Sequence, residues 1–283
     1  MPPLHTKLPW AYNSATLLNL PWAEELELLR KFGWSRLEPT ADKVNAGIAA
    51  AGSVDAYKQQ LASAGVELVG LCGVTICPPA AKFPAEEERA NVQAGIELAA
   101  SIDARGIAVI MLGDPGSDIA GAYDVLATKL AAYADIAKAN DIELRLEFLA
   151  GPPINGTLNA SVDLIRKVDH PNLTLLFDLI HYYASASHME ELTRLPAGKL
   201  GMFHIDDAPD APMEQQKGDY RAFPGEGRMD VPALMKQVID ITGYAGPCTI
   251  ELYDPRVWSM DPEEVMQRLE RSIAHVEERI ELP

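Results

Sequence analysis

Eight short apolar runs alternate along this chain with longer amphipathic segments, and that alternation restricts the fold more than any other feature. The runs cover residues 8–13, 34–38, 66–72, 106–112, 142–148, 173–178, 200–205 and 247–253. A strand, a returning helix and another strand make a parallel pair, and eight such units close on themselves as a (β/α)8 TIM barrel. The intervening segments carry helix signals. Residues 21–32 stop at Gly33, residues 53–64 stop at Gly65, and 84–104 carry Glu86, Glu87 and Glu88 in the first turn, with Gly106 just beyond the end. The last, 262–279, opens with Asp261 as N-cap and Pro262 at the first helical position. With 283 residues and no low-complexity tract or Ser/Gly linker, the expectation is an α/β chain forming a single TIM-barrel domain over residues 1–283.

Charge limits the partners. A formal net charge of -17 opposes association with nucleic acid or an anionic membrane surface, so neither is expected. No apolar run reaches the roughly 18 to 20 residues of a membrane span, and MPPLHTKLPWAYN lacks the basic start and apolar core of a signal peptide. Three cysteines, Cys72, Cys77 and Cys248, fit free thiols in a reducing compartment, and the expected location is the cytoplasm.

Four of the strand-like runs end in metal-binding side chains: IELRLEF at Glu147, LTLLFD at Asp178, GMFH at His204 and CTIE at Glu251. In a closed barrel the C-terminal ends of successive strands point into one mouth, so these heads converge there. A single Glu at a strand end is more often a cap or a salt bridge, but four in separate barrel units point to a shared cation. Three carboxylates and one imidazole suit Mn²⁺ foremost, and also admit Mg²⁺, Co²⁺, Fe²⁺ or Zn²⁺. Alternation along a strand also places Arg145 and Glu143 on the inward face with Glu147, and Asp206 with His204. His181, three residues after Asp178, stands at the mouth, where it can bind a substrate oxygen. The irregular stretch 206–228 is long enough to be functional.

The segments LEFLAGPP, FDLIHYY, FHIDDAP, FPGEGRMD and IELYDP, in this order, resemble the xylose-isomerase-like barrel superfamily of sugar isomerases, epimerases and endonuclease IV, with the inosose isomerases most similar in look. The resemblance is firm over 142–256 and thin before Gly106, where only the strand rhythm and Glu38 carry it. It implies that Glu147, Asp178, His204 and Glu251 bind one divalent metal, that the two glutamates flank the substrate, and that His181 and Arg221 contact it. Endonuclease IV needs several more histidines for its zinc cluster. Here His5, His170, His188 and His275 lie away from the strand ends, which leaves a mononuclear centre.

The activity expected is isomerisation or epimerisation of a keto-cyclitol or ketose. Glu147 and Glu251 act as the acid/base pair on either face of a metal-stabilised enediolate. A lyase or dehydratase of the 3-dehydroshikimate dehydratase kind uses the same intermediate and stands as the rival. A non-catalytic metabolite-binding barrel, alone or as a subunit of a hetero-complex, is the alternative from another class. The outer helical ring of such barrels commonly supports homo-oligomers, and nothing in the sequence selects one.

Overall fold

The structure is a computed structural model that describes residues 7–216 and 218–282; residues 1–6, His5 among them, Lys217 and Pro283 lie outside it. Nine parallel strands form one sheet: β1 (Trp10–Asn13), β2 (Arg36–Glu38), β3 (Glu67–Leu68), β4 (Leu71–Ile76), β5 (Gly106–Met111), β6 (Glu143–Glu147), β7 (Leu173–Asp178), β8 (Leu200–Ile205) and β9 (Cys248–Ile250). Their order is β3-β2-β1-β9-β8-β7-β6-β5-β4, and an isolated parallel bridge between Thr40 and Cys72 draws the two ends together into a nearly closed TIM barrel.

The expected third strand, 66–72, is in fact two strands. β3 pairs with β2 and β4 pairs with β5, with Gly70 at the joint. The reason is local crowding. A Cβ on Gly70 would sit 2.8 Å from Arg145 Nη1 and 3.1 Å from Glu38 Oε1, so the backbone presses there against polar side chains filling the barrel.

The helices are α1 (Trp22–Phe32), α2 (Ala41–Ala51), α3 (Val54–Ala64), α4 (Ala85–Ser101), α5 (Ile119–Ala139), α6 (Leu158–Val168), α7 (Leu179–Tyr183), α8 (Val231–Thr242) and α9 (Pro262–Arg279). Their ends follow the sequence signals. Gly33 closes α1 at φ 74° and Gly65 closes α3 at φ 71°. Asp261 caps α9 through the Glu263 and Glu264 amides. α4 stops earlier than expected, at Ser101, because Asp103 turns the chain at φ 58°. Among the described residues no helix is long and apolar enough to cross a membrane.

Strand alternation sorts the side chains. Leu144, Leu146 and Phe148 pack in the main core, where Phe148, Phe177 and Phe203 meet edge to face with centroids 5.8 and 5.6 Å apart. Each such burial stabilises by about 1.5–3 kcal/mol. Inside the barrel, Ala11, Val69, Ala108, Leu176 and Met202 form a separate small apolar layer. Arg145 is also buried inside, bonded to Glu143 Oε2 at 2.8 Å and to the Val69 carbonyl at 2.7 Å. The charged inner face read from IELRLEF is thus the inner face of β6.

Candidate metal centre and active site

Glu147 and Asp178 are the last residues of β6 and β7, His204 lies one residue before the end of β8, and Glu251 directly follows β9. Pairing of Asp178 with His204, and of His204 with Thr249, holds these ends level. One ligand atom from each of Glu147, Asp178, His204 and Glu251 lies within 4.8 Å of the others, and all four residues are buried. Asp178 serves twice: its Oδ1 caps α7 by accepting the His181 amide at 3.1 Å, while Oδ2 faces the cluster.

The orientation of His204 tests whether these residues fit a cation. Its Nε2 is 2.8 Å from Glu38 Oε2. Its Nδ1, buried and without a hydrogen-bond partner, faces Glu251 Oε2 at 3.3 Å, Asp178 Oδ2 at 3.8 Å and Glu147 Oε1 at 3.9 Å. A ring nitrogen with no partner, ringed by three carboxylates, is a donor set that a hard divalent cation completes. The four residues fit the group.

Arg221 enters from the 206–228 loop. Its Nη1 reaches Asp178 Oδ2 (2.9 Å), Asp206 Oδ2 (2.8 Å) and Glu251 Oε2 (2.8 Å). Each of these oxygens keeps a second lone pair, so the guanidinium and a cation can share them. His181 lies beside Arg221, its Nε2 3.8 Å from Glu147 Oε1. The Ala150 amide donates to His181 Nδ1 at 3.3 Å, which leaves the ring proton on Nε2, facing the site.

The electrostatics divide the carboxylates. Burial, reinforced by Glu251 and Asp178 and opposed by His204, holds Glu147 well above the ordinary carboxylate range. Burial also pushes Glu251 up, but Arg221 and then His204 outweigh it and hold Glu251 low. Burial brings His181 down to about 4, so it is neutral near pH 7.

All six residues singled out from the sequence, Glu147, Asp178, His181, His204, Arg221 and Glu251, therefore meet at one mouth. Others were missed. Cys72 Sγ lies 4.0 Å from Glu251 Oε1, because β4 begins one residue earlier and turns this side chain inward. Asp207 accepts the amides of Ala208, Gly225, Gly227 and Met229 and so folds the loop that carries Arg221. Asp254 holds the Arg221 amide at 2.8 Å. The doubled acid in HIDD was the available signal for Asp207. Glu226 of the FPGEG segment pairs with Arg268 on α9. Trp10, Tyr12 and Trp22 are buried in the main core between the strands and the outer helices.

Fold and site together define a TIM barrel with a candidate metal centre at its C-terminal mouth. The family model of the xylose isomerase-like TIM barrel matches residues 26–276, and the chain belongs to that family. Over 148 residues it is 28% identical to an inosose isomerase of Bacillus licheniformis, covering 52% of this chain and 53% of that protein, so the match spans about half the relative's length. Over 149 residues it is 28% identical to a 3-dehydroshikimate dehydratase of Pseudomonas aeruginosa, covering 52% of this chain and 23% of that protein. Among solved structures, the IolI protein with a bound zinc atom superposes with a TM-score of 0.86 at 20% identity, covering 97% of this chain and 100% of that one; the likeness is one of fold.

Proposed function

We propose that this chain is a divalent-metal-dependent isomerase or epimerase of a keto-cyclitol or ketose, with an inosose as the leading substrate, working in the cytoplasm. The observation that carries this reading is the convergence of Glu147, Asp178, His204 and Glu251 around the unpartnered His204 Nδ1. The match to inosose isomerases supports it. These four residues would hold the cation, Mn²⁺ foremost, which when bound polarises a carbonyl and acidifies the neighbouring C–H.

The remaining steps belong to the chain itself. His181 donates its Nε2–H to one substrate oxygen, and Arg221 binds another through its guanidinium. One of the two glutamates, Glu147 or Glu251, takes the proton from the carbon beside the carbonyl. The other returns a proton either to the opposite face of that carbon, giving epimerisation, or to the old carbonyl carbon, giving isomerisation as the hydroxyl proton crosses between the two oxygens. The low exposure of Glu147 and Glu251 limits competition from water for these protons.

The test uses the Mn²⁺-loaded chain and an inosose or ketose in deuterated water. Wild type should exchange the α-proton, and Glu251→Gln should abolish that exchange; full exchange in the variant overturns the assignment. The dehydratase relative favours a second reading, elimination of water from the same enediolate. Product mass separates the two, since isomerisation conserves it and loss of water excludes isomerisation.

A further inference from the structure

Ahead of Gly106, Glu38 is the one side chain that carries the family resemblance in the sequence. It closes β2 and is fully buried, on a stave separated from β8 by β1 and β9 in the sheet order. One of its oxygens, Oε2, meets both Asn13 Nδ2 at 3.0 Å and His204 Nε2 at 2.8 Å. Asn13 is fixed in turn, since its Oδ1 accepts the Ala15 amide at 2.8 Å and it stands in register with Glu38. A rigid chain of contacts thus runs from the start of the first loop, through Glu38, to the imidazole.

We infer that Glu38 is a positioning residue that sets which nitrogen of His204 faces the three carboxylates, and thereby how tightly the centre holds a divalent cation; this rests on the metal-centre reading above. An imidazole has two nitrogens on different edges of its ring, and a half-turn about its bond to Cβ replaces Nδ1 with a carbon. A carboxylate anchored at Nε2 removes that freedom, keeps the Nε2 proton in place and leaves the Nδ1 lone pair for the cation. It also makes the coordinating nitrogen a better donor, as carboxylates behind metal-bound histidines do elsewhere. The other Glu38 oxygen, Oε1, is buried without a hydrogen-bond partner. Placing a carboxylate there carries a desolvation cost that a neutral, space-filling side chain would avoid.

The purely structural alternative, that Glu38 only fills volume, predicts that an isosteric amide serves equally well. The experiment is Mn²⁺ titration of the chelator-treated full chain, followed by calorimetry and by the EPR signal of free Mn²⁺. Relative to wild type, Glu38→Gln should raise the Mn²⁺ dissociation constant about 10- to 100-fold. Equal affinity in the two proteins overturns the inference and leaves the metal centre standing, whereas a wild type that binds no Mn²⁺ overturns both. Should Glu38→Gln fail to fold, Glu38→Asp carries the same comparison, since it withdraws the carboxylate from Nε2. A second readout is ¹⁵N NMR of the histidine-labelled, Zn²⁺-loaded chain. Coordination through Nδ1 with a retained Nε2 proton is expected for His204, and coordination through Nε2 overturns the proposal.

Discussion

Arg221 Nη1 grips Glu251 twice, 2.8 Å from its side-chain Oε2 and 3.1 Å from its carbonyl oxygen. The same nitrogen serves Asp178 and Asp206, so one guanidinium offsets three buried carboxylates. Replacing Arg221 with Met leaves all three without their shared cation. Breaking a buried pair in this way costs about 3–5 kcal/mol. Urea denaturation of the chelator-treated chain should show that loss, and a loss below about 1 kcal/mol would contradict the pairing. Added Mn²⁺ should restore more stability to the variant than it adds to wild type.

Asp207 offers a sharper local test. Its Oδ1 accepts the Ala208 and Met229 amides, and its Oδ2 accepts those of Gly225 and Gly227. Asp207→Asn keeps one acceptor oxygen and Asp207→Ala keeps neither, so destabilisation should rise in that order, reaching about 1–3 kcal/mol for the alanine. Limited proteolysis should cut first within 206–228, and cleavage elsewhere would show that Asp207 does not hold the loop.

How far the sequence could be read follows from which forces are local. Strand ends and helix caps were legible because Gly33, Gly65, Asp261 and the apolar alternation act within a few residues. Convergence of the four candidate ligands was legible because barrel closure brings strand ends together whatever the loops do. The break at Gly70 was not, because it comes from Arg145 and Glu38 on other strands. Nor was the burial of Glu88. In sequence it suits the α4 dipole, but folded it bonds Tyr133 and Lys129 on α5 and the Cys77 amide.

A pH dependence arises away from the mouth. Glu25 is buried beneath Lys43, Tyr12 and Ser14, and burial, only partly offset by Lys43, pushes its carboxyl from 4.5 up to about 7. Between those values the folded chain binds more protons than the unfolded chain, so this group's contribution is complete below pH 4.5 and is lost as pH rises to about 7. The loss is on the order of 3 kcal/mol at most. Glu25→Gln should flatten the unfolding free energy across that window, and an unchanged slope would remove Glu25 as its source.

Gly106 opens β5 against the buried Arg145. A Cβ there would lie 2.6 Å from Arg145 Nε and 2.8 Å from the backbone oxygen of Glu143. The oxygen belongs to a paired strand and has no room to yield, so Gly106→Ala should destabilise by about 1–3 kcal/mol. A thermal midpoint equal to that of wild type would mean that β5 and β6 can separate without penalty.

The inner layer of Ala11, Val69, Ala108, Leu176 and Met202, with the Arg145–Glu143 pair, stoppers the barrel on the side away from the candidate centre. The barrel interior is therefore closed at that end, and the candidate centre is reached from the mouth. Whatever enters must leave by the same doorway, in the reverse direction, past the stretch that carries Arg221.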